Sequence, residues 1–194
     1  EVELVLPVMP EAKQYRMGFE AGEILRKIHM LPAKKQADDW YSRYFAVIDE
    51  RLDAFRAAGI SFEGDKIVLN FLQENRYLLK NRPQCYLHGD YHTGNLIQRE
   101  NGHLSVIDWH TVDFENYGDP WYEFNRIGAG VRAGFSAFAS GQIDGYFQDN
   151  TPQAFWRLLA YYLSASSLTS IVWAKHFSPE NVSAMLELNL SLLY

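Results

Sequence analysis

The sequence changes its hydrophobic period once, and that change constrains the fold more than any other feature. From Glu11 to Leu31, residues Met17, Ala21, Ile24, Leu25 and Ile28 recur at spacings of three and four, as one face of an α-helix requires. Similar spacing predicts helices over about 36–58, ended by Gly59, and about 65–80, ended before Pro83. From Gln84 to Asp108 the texture turns to short β-type segments, CYLH, NLIQ and HLSVID, broken by Gly and Asn. Helical spacing returns over about 120–133, 152–174 and 179–192, with a glycine-punctuated stretch, FSAFASGQIDGYF, between the first two. The expected class is mainly α with a small β hairpin element, an α+β chain. With 194 residues and no internal repeat, it reads as one domain. The opening EVELVLPVMP reads as an extended segment entered midway, and Glu1 stands where a start would carry Met, so a piece of a longer protein is expected.

Charge and composition exclude several function classes. The formal charge of −6 and the absence of any Lys/Arg run argue against a sequence-independent grip on nucleic acid, which relies on clustered cations at phosphates. Cys85 is the single cysteine, so no disulfide forms within the chain, and no basic stretch followed by an apolar one opens it. A cytoplasmic protein is expected. The uncharged run from Leu158 to Ala174 carries four serines, one threonine and two tyrosines, so it reads as a buried core helix and not as a membrane span.

Chemistry concentrates in LHGDYHTGNL, residues 87–96, which places two histidines, an aspartate and an asparagine between apolar stretches. Downstream, Asn101-Gly102 is the preferred pair for a two-residue type I′ hairpin turn. That turn would set Leu96 against Ile107 and Asn95 against Asp108, bringing an amide and a carboxylate to one face at the open end of the hairpin. Together with Asp90 they would form an oxygen-rich site suited to Mg²⁺, which keeps several waters for phosphate to replace. Taken alone, the hairpin also permits a second reading, in which Asn95 and Asp108 merely end strands with local turn bonds.

HGDYHTGN, followed by VIDW and then GDPWYEF, resembles the catalytic region of the aminoglycoside phosphotransferase and choline kinase-like family, relatives of the protein kinases. The dense likeness covers Tyr86 to Phe124, and AGEILRKIHML and QIDGYF resemble the same family's helical lobe. The resemblance implies the C-terminal helical lobe of a protein-kinase-like fold over residues 1–194. It further implies Asp90 as catalytic base, Asn95 and Asp108 as ligands of Mg²⁺, and ATP or GTP as donor to a small-molecule hydroxyl. His88 and His92 are read as loop-supporting. Asp119 is read as an N-cap ahead of Pro120 that also braces the loop, and Glu123 as a helix-dipole charge without a catalytic role.

A kinase-like site also uses a Gly-rich turn over the phosphates and a strand lysine. The sequence shows neither before Asp90, which implies an N-terminal nucleotide-binding lobe outside residues 1–194 as partner, and a fragment inactive alone. Asp113, Glu115, Asp144 and Asp149, with Tyr146 and Trp156, suggest a cationic acceptor, and family likeness makes an aminoglycoside antibiotic the first candidate. Two rival readings stay open. His88, Asp90 and His92 spell H-x-D-x-H, which with Asp108 suits a metal-dependent hydrolase. A non-catalytic lobe that binds a partner is the other.

Overall fold

The computed structural model describes residues 1–33, 38–109, 114 and 116–177. The predicted helix over 179–192 and the candidates Asp113 and Glu115 lie outside those residues. The chain divides into two compact units, one of residues 1–37 and 83–156 and one of residues 38–82 and 157–194.

The first unit opens on helical turns, α1 (Val2–Val5) and a 3-10 turn at Leu6–Val8, where the sequence predicts an extended segment. The turn is held from outside: Gln14 Nε2 donates to the carbonyls of Leu6 and Met9, at 3.1 and 3.0 Å. Helix α2 (Glu11–His29) follows, burying Met17, Ala21, Leu25 and Ile28 as its spacing predicts. Two short antiparallel pairs come next. Strand β1 (Cys85–Tyr86) pairs with β4 (Tyr117–Gly118), and β2 (Leu96–Gln98) with β3 (Leu104–Val106).

The β2–β3 hairpin corrects the predicted register by one residue. Leu96 faces Val106, and Ile107 N donates to the carbonyl of Asn95 at 3.0 Å, so Asn95 stands opposite Ile107 and not Asp108. The cause lies in the turn. Arg99 N donates to His103 O and Gly102 N to Arg99 O, which encloses three residues, Glu100, Asn101 and Gly102, with Gly102 left-handed at φ +83°. A three-residue loop closed by a left-handed glycine uses Asn-Gly as well as a type I′ turn does. The Asn101 side chain tips the choice by accepting from His103 N at 3.1 Å.

A 3-10 helix, Pro120–Arg126, leads into α5 (Ile127–Arg132), replacing the single helix predicted over 120–133. FSAFASGQIDGYF is itself helical: α6 runs Ser136–Phe147. It packs on α2 through glycines on both sides. A β-carbon added at Gly18 or Gly22 would collide with the carbonyls of Phe138 and Gln142, and one at Gly141 or Gly145 with those of Tyr15 and Phe19. Backbone therefore meets backbone, a distance that only glycine allows.

The second unit holds α3 (Trp40–Ala57), α4 (Asp65–Glu74), a 3-10 turn at Arg76–Leu79, and all but the first turn of α7 (Gln153–Phe177). Asp39 caps α3, accepting from Ser42 N at 3.1 Å. The core is aromatic: Trp40, Tyr44, Tyr161 and Tyr162 are essentially fully buried, and Trp40 Nε1 donates to Tyr162 OH at 2.7 Å. The run 158–174 is thus a core helix as expected, and no helix among the described residues is long and apolar enough to cross a membrane.

Candidate active site

The loop between β1 and β2 is fastened at its back before any reactive group appears. His88 N and Gly89 N donate to the two oxygens of Glu123, at 2.7 and 2.9 Å, and Glu123 is 1% exposed. A buried carboxylate that accepts two backbone N–H groups fixes the loop's path with charge-assisted bonds. The 3-10 helix carrying Glu123 is set in turn by Asp119, fully buried, whose carboxylate accepts from Trp121 N at 3.0 Å. Asp119 is therefore the predicted cap, and Glu123 makes the direct contact with the loop. Tyr91 OH donates to Ala21 O at 2.7 Å, tying the loop to α2. Behind Glu123, His29 Nε2 stands 3.7 Å from Glu123 Oε2, and its Nδ1 is 2.9 Å from Tyr146 OH.

His88 and His92 both bond within or beside the loop, and their partners assign their tautomers. His88 Nδ1 accepts from Asp90 N at 3.2 Å, so Nε2 carries the proton and donates to Ile107 O at 2.8 Å. His92 Nδ1 accepts from Gly94 N at 3.1 Å, so its Nε2 donates to Asp90 Oδ2 at 3.3 Å. With these nitrogens committed, the H-x-D-x-H hydrolase reading loses its ligands. No group of three His, Cys, Asp or Glu able to hold a metal occurs among the described residues.

Asp90 is the focus of this arrangement. Asn95 Nδ2 donates to Asp90 O at 2.9 Å and approaches Asp90 Oδ2 at 3.4 Å. Arg126 Nη2 lies 3.2 Å from Asp90 Oδ1, within ion-pair reach but off the line of a hydrogen bond, and Oδ1 is left without one. The His92 hydrogen bond, with Arg126 beside it, outweighs partial burial and holds the Asp90 carboxyl below its ordinary value. Oδ1 is thus enclosed beside Arg126, and on a side chain that is 34% exposed, Oδ2, bonded to His92, is the oxygen left to meet a hydroxyl.

The Asn95 amide nitrogen is committed to Asp90, which leaves its oxygen as the atom able to meet a cation. Asp108 is exposed and left-handed at φ +59°, a conformation that Asp tolerates better than most residues. It directly follows Ile107, whose N–H is bonded to Asn95 O and whose carbonyl accepts from His88. With the register shifted by one residue, Asp108 follows the residue opposite Asn95 and does not face it across the hairpin. An amide oxygen and a carboxylate fit the hard-cation chemistry of Mg²⁺.

The acceptor candidates are placed differently. Asp144 accepts from Tyr15 OH at 2.9 Å, Tyr146 is paired with His29, Asp149 is exposed beyond the end of α6, and Trp156 is 46% exposed against Phe155. None of these four lines the cavity of about 210 Å³ that opens beside the loop, bounded by His92, Thr93, Arg126, Ile127, Phe135 and Phe138 among others. Sequence reasoning missed Glu123 as the loop's anchor and Arg126 altogether. Glu123 carried a signal, a lone carboxylate inside the aromatic cluster WYEF, whereas Arg126 carried none.

Comparison with known proteins is consistent with this geometry. No curated protein matches the sequence. A crystal structure of a choline/ethanolamine kinase family protein from Mesorhizobium loti is similar in fold, with TM-score 0.67 and 16% identity over 98% of this chain and 64% of that one. The fold is therefore the expected kinase-like α+β lobe, and the chain spans 64% of that protein's length. Residues 1–158 match the model of the phosphotransferase enzyme family known as APH, and the chain belongs to that family.

Proposed function

We propose that this chain carries the catalytic lobe of a small-molecule kinase, which moves the γ-phosphoryl group of ATP or GTP to a hydroxyl of its acceptor. The observation that carries the reading is the ionised Asp90 carboxylate, 34% exposed and held in place by His92, Asn95 and Arg126. The acceptor oxygen attacks phosphorus as the bond to the β-phosphate oxygen breaks; the hydroxyl proton passes to Asp90, and the nucleoside diphosphate leaves. Because phosphoryl transfer is mostly positioning and charge neutralisation, a carboxylate that is not strongly basic suffices. Asn95 and Asp108 would hold Mg²⁺, which supplies charge neutralisation at the phosphates. His88, Glu123 and Asp119 keep the loop rigid while the acceptor changes.

The Gly-rich turn and lysine of such sites belong, in this reading, to a second lobe outside residues 1–194. The family resemblance and the net charge of −6 put an aminoglycoside antibiotic among the acceptors to be screened. The test is a screen of the full-length protein for Mg²⁺- and nucleotide-dependent phosphorylation of aminoglycosides, choline, sugars and apolar alcohols, with residues 1–194 assayed in parallel. Transfer by the full-length protein that chelation abolishes, with none by residues 1–194 and only about millimolar ATP binding, is expected. Transfer by residues 1–194 alone would contradict the two-lobe architecture, and no transfer by the full-length protein would contradict the function.

A further inference from the structure

Resting on the phosphotransferase reading, the cavity beside Asp90 indicates what kind of hydroxyl compound the site accepts. Its walls are apolar, with Ile127, Phe135 and Phe138 among them, and one side is floored by the small residues Ala129, Gly130 and Ala133. Among the described lining residues it has one full positive charge, Arg126, and one carboxylate, Glu3. A polyamine brought here would set several ammonium groups against a guanidinium and apolar walls, with Glu3 and an Asp90 already paired with Arg126 as counter-charges, which desolvation makes unfavourable.

Arg126 and His92 both line the cavity, and each holds one oxygen of Asp90: Arg126 Nη2 lies 3.2 Å from Oδ1, which is enclosed, and His92 Nε2 donates to Oδ2. The Arg126 side chain is 52% exposed. A hydroxyl donating to Oδ2 comes to rest near the guanidinium, whose fork of N–H groups has donors to spare. An oxygen on a neighbouring carbon of the same molecule then meets it. We propose that Arg126 is a specificity-determining residue, and that the acceptor is an uncharged alcohol with an apolar body and a second, hydrogen-bond-accepting oxygen next to the reacting hydroxyl.

The experiment uses the full-length protein and three probes: an alkyl vicinal diol, the matched alkyl mono-alcohol, and a polyamino sugar. Binding is read by calorimetry and phosphorylation by product formation with Mg²⁺ and ATP. The diol should bind and be phosphorylated in preference to the polyamino sugar. Arg126→Met should weaken diol binding about tenfold or more, the loss of one charge-assisted hydrogen bond, and weaken mono-alcohol binding less, so that the diol-to-mono-alcohol binding ratio falls. Gly130→Leu should weaken both alcohols: a β-carbon there meets no atom within 4 Å, so the added side chain fills space without disturbing the helix. Phosphorylation of the polyamino sugar with no diol binding would overturn the inference and leave the phosphotransferase reading intact. So would an Arg126→Met protein with an unchanged diol-to-mono-alcohol binding ratio. Diol binding that depends on Arg126, with no transfer to any probe, would support the cavity's specificity and count against the phosphotransferase reading.

Discussion

The loop between β1 and β2 depends on single side chains, and the most exposed to test is Glu123. Replacing it with Gln keeps shape but offers one acceptor oxygen where His88 N and Gly89 N now find two, and turns an NH₂ towards a backbone N–H. A buried donor left unpaired costs roughly 1–3 kcal/mol, so the thermal midpoint should fall by several degrees and turnover of the full-length protein should fall with it. An unchanged midpoint and rate would show that the two bonds do not set the loop. At this scale the sequence was legible where chemistry and neighbours lie together, as for His88, Asp90 and Asn95 within a single stretch. Glu123 and Arg126 act across 34 to 36 residues of chain, where no period or spacing links them to the loop.

Among the elements, the helices read best where one face is apolar and the other polar, as in α2. Helix α6 escaped because Gly141 and Gly145 lower helix propensity by about 1 kcal/mol each relative to Ala, and local signals carry no account of the α2 backbone against them. That packing makes a prediction of opposite signs for one kind of substitution. Gly130→Ala in α5 meets nothing within 4 Å and should stabilise or leave stability unchanged, as helix propensity alone dictates. Gly18→Ala drives a methyl into the carbonyl of Phe138, so the two helices must separate, and the cost should exceed the propensity gain by about 1–3 kcal/mol in chemical denaturation. Equal effects at the two sites would contradict the close approach of α2 and α6. The hairpin register was misread for a related reason: Asn-Gly satisfies two loops of different length, and the Asn101 side-chain bond that selects the longer one leaves no mark in a hydrophobic pattern.

For the molecule as a whole, family membership and a kinase-like fold give the site its setting, and Asp90 is the base of the proposed reaction. The family resemblance was visible in three ordered sequence blocks, and the structure adds what surrounds them: a carboxylate beneath the loop, two histidines with assigned tautomers, and a cavity lined, among the described residues, by the Arg126 guanidinium. The acidic candidates on α6 were chosen by composition, and composition does not say which carboxylates are already paired, as Asp144 is with Tyr15. The central claim is that Asp90 receives the acceptor's proton. Its most direct test compares turnover of the full-length protein with that of its Asp90→Asn variant on the same acceptor, with thermal midpoints measured for both. The account predicts a fall of roughly 10² or more in kcat with the midpoint within a few degrees, as removal of a positioned base requires. Turnover unchanged in a folded Asp90→Asn protein would contradict it.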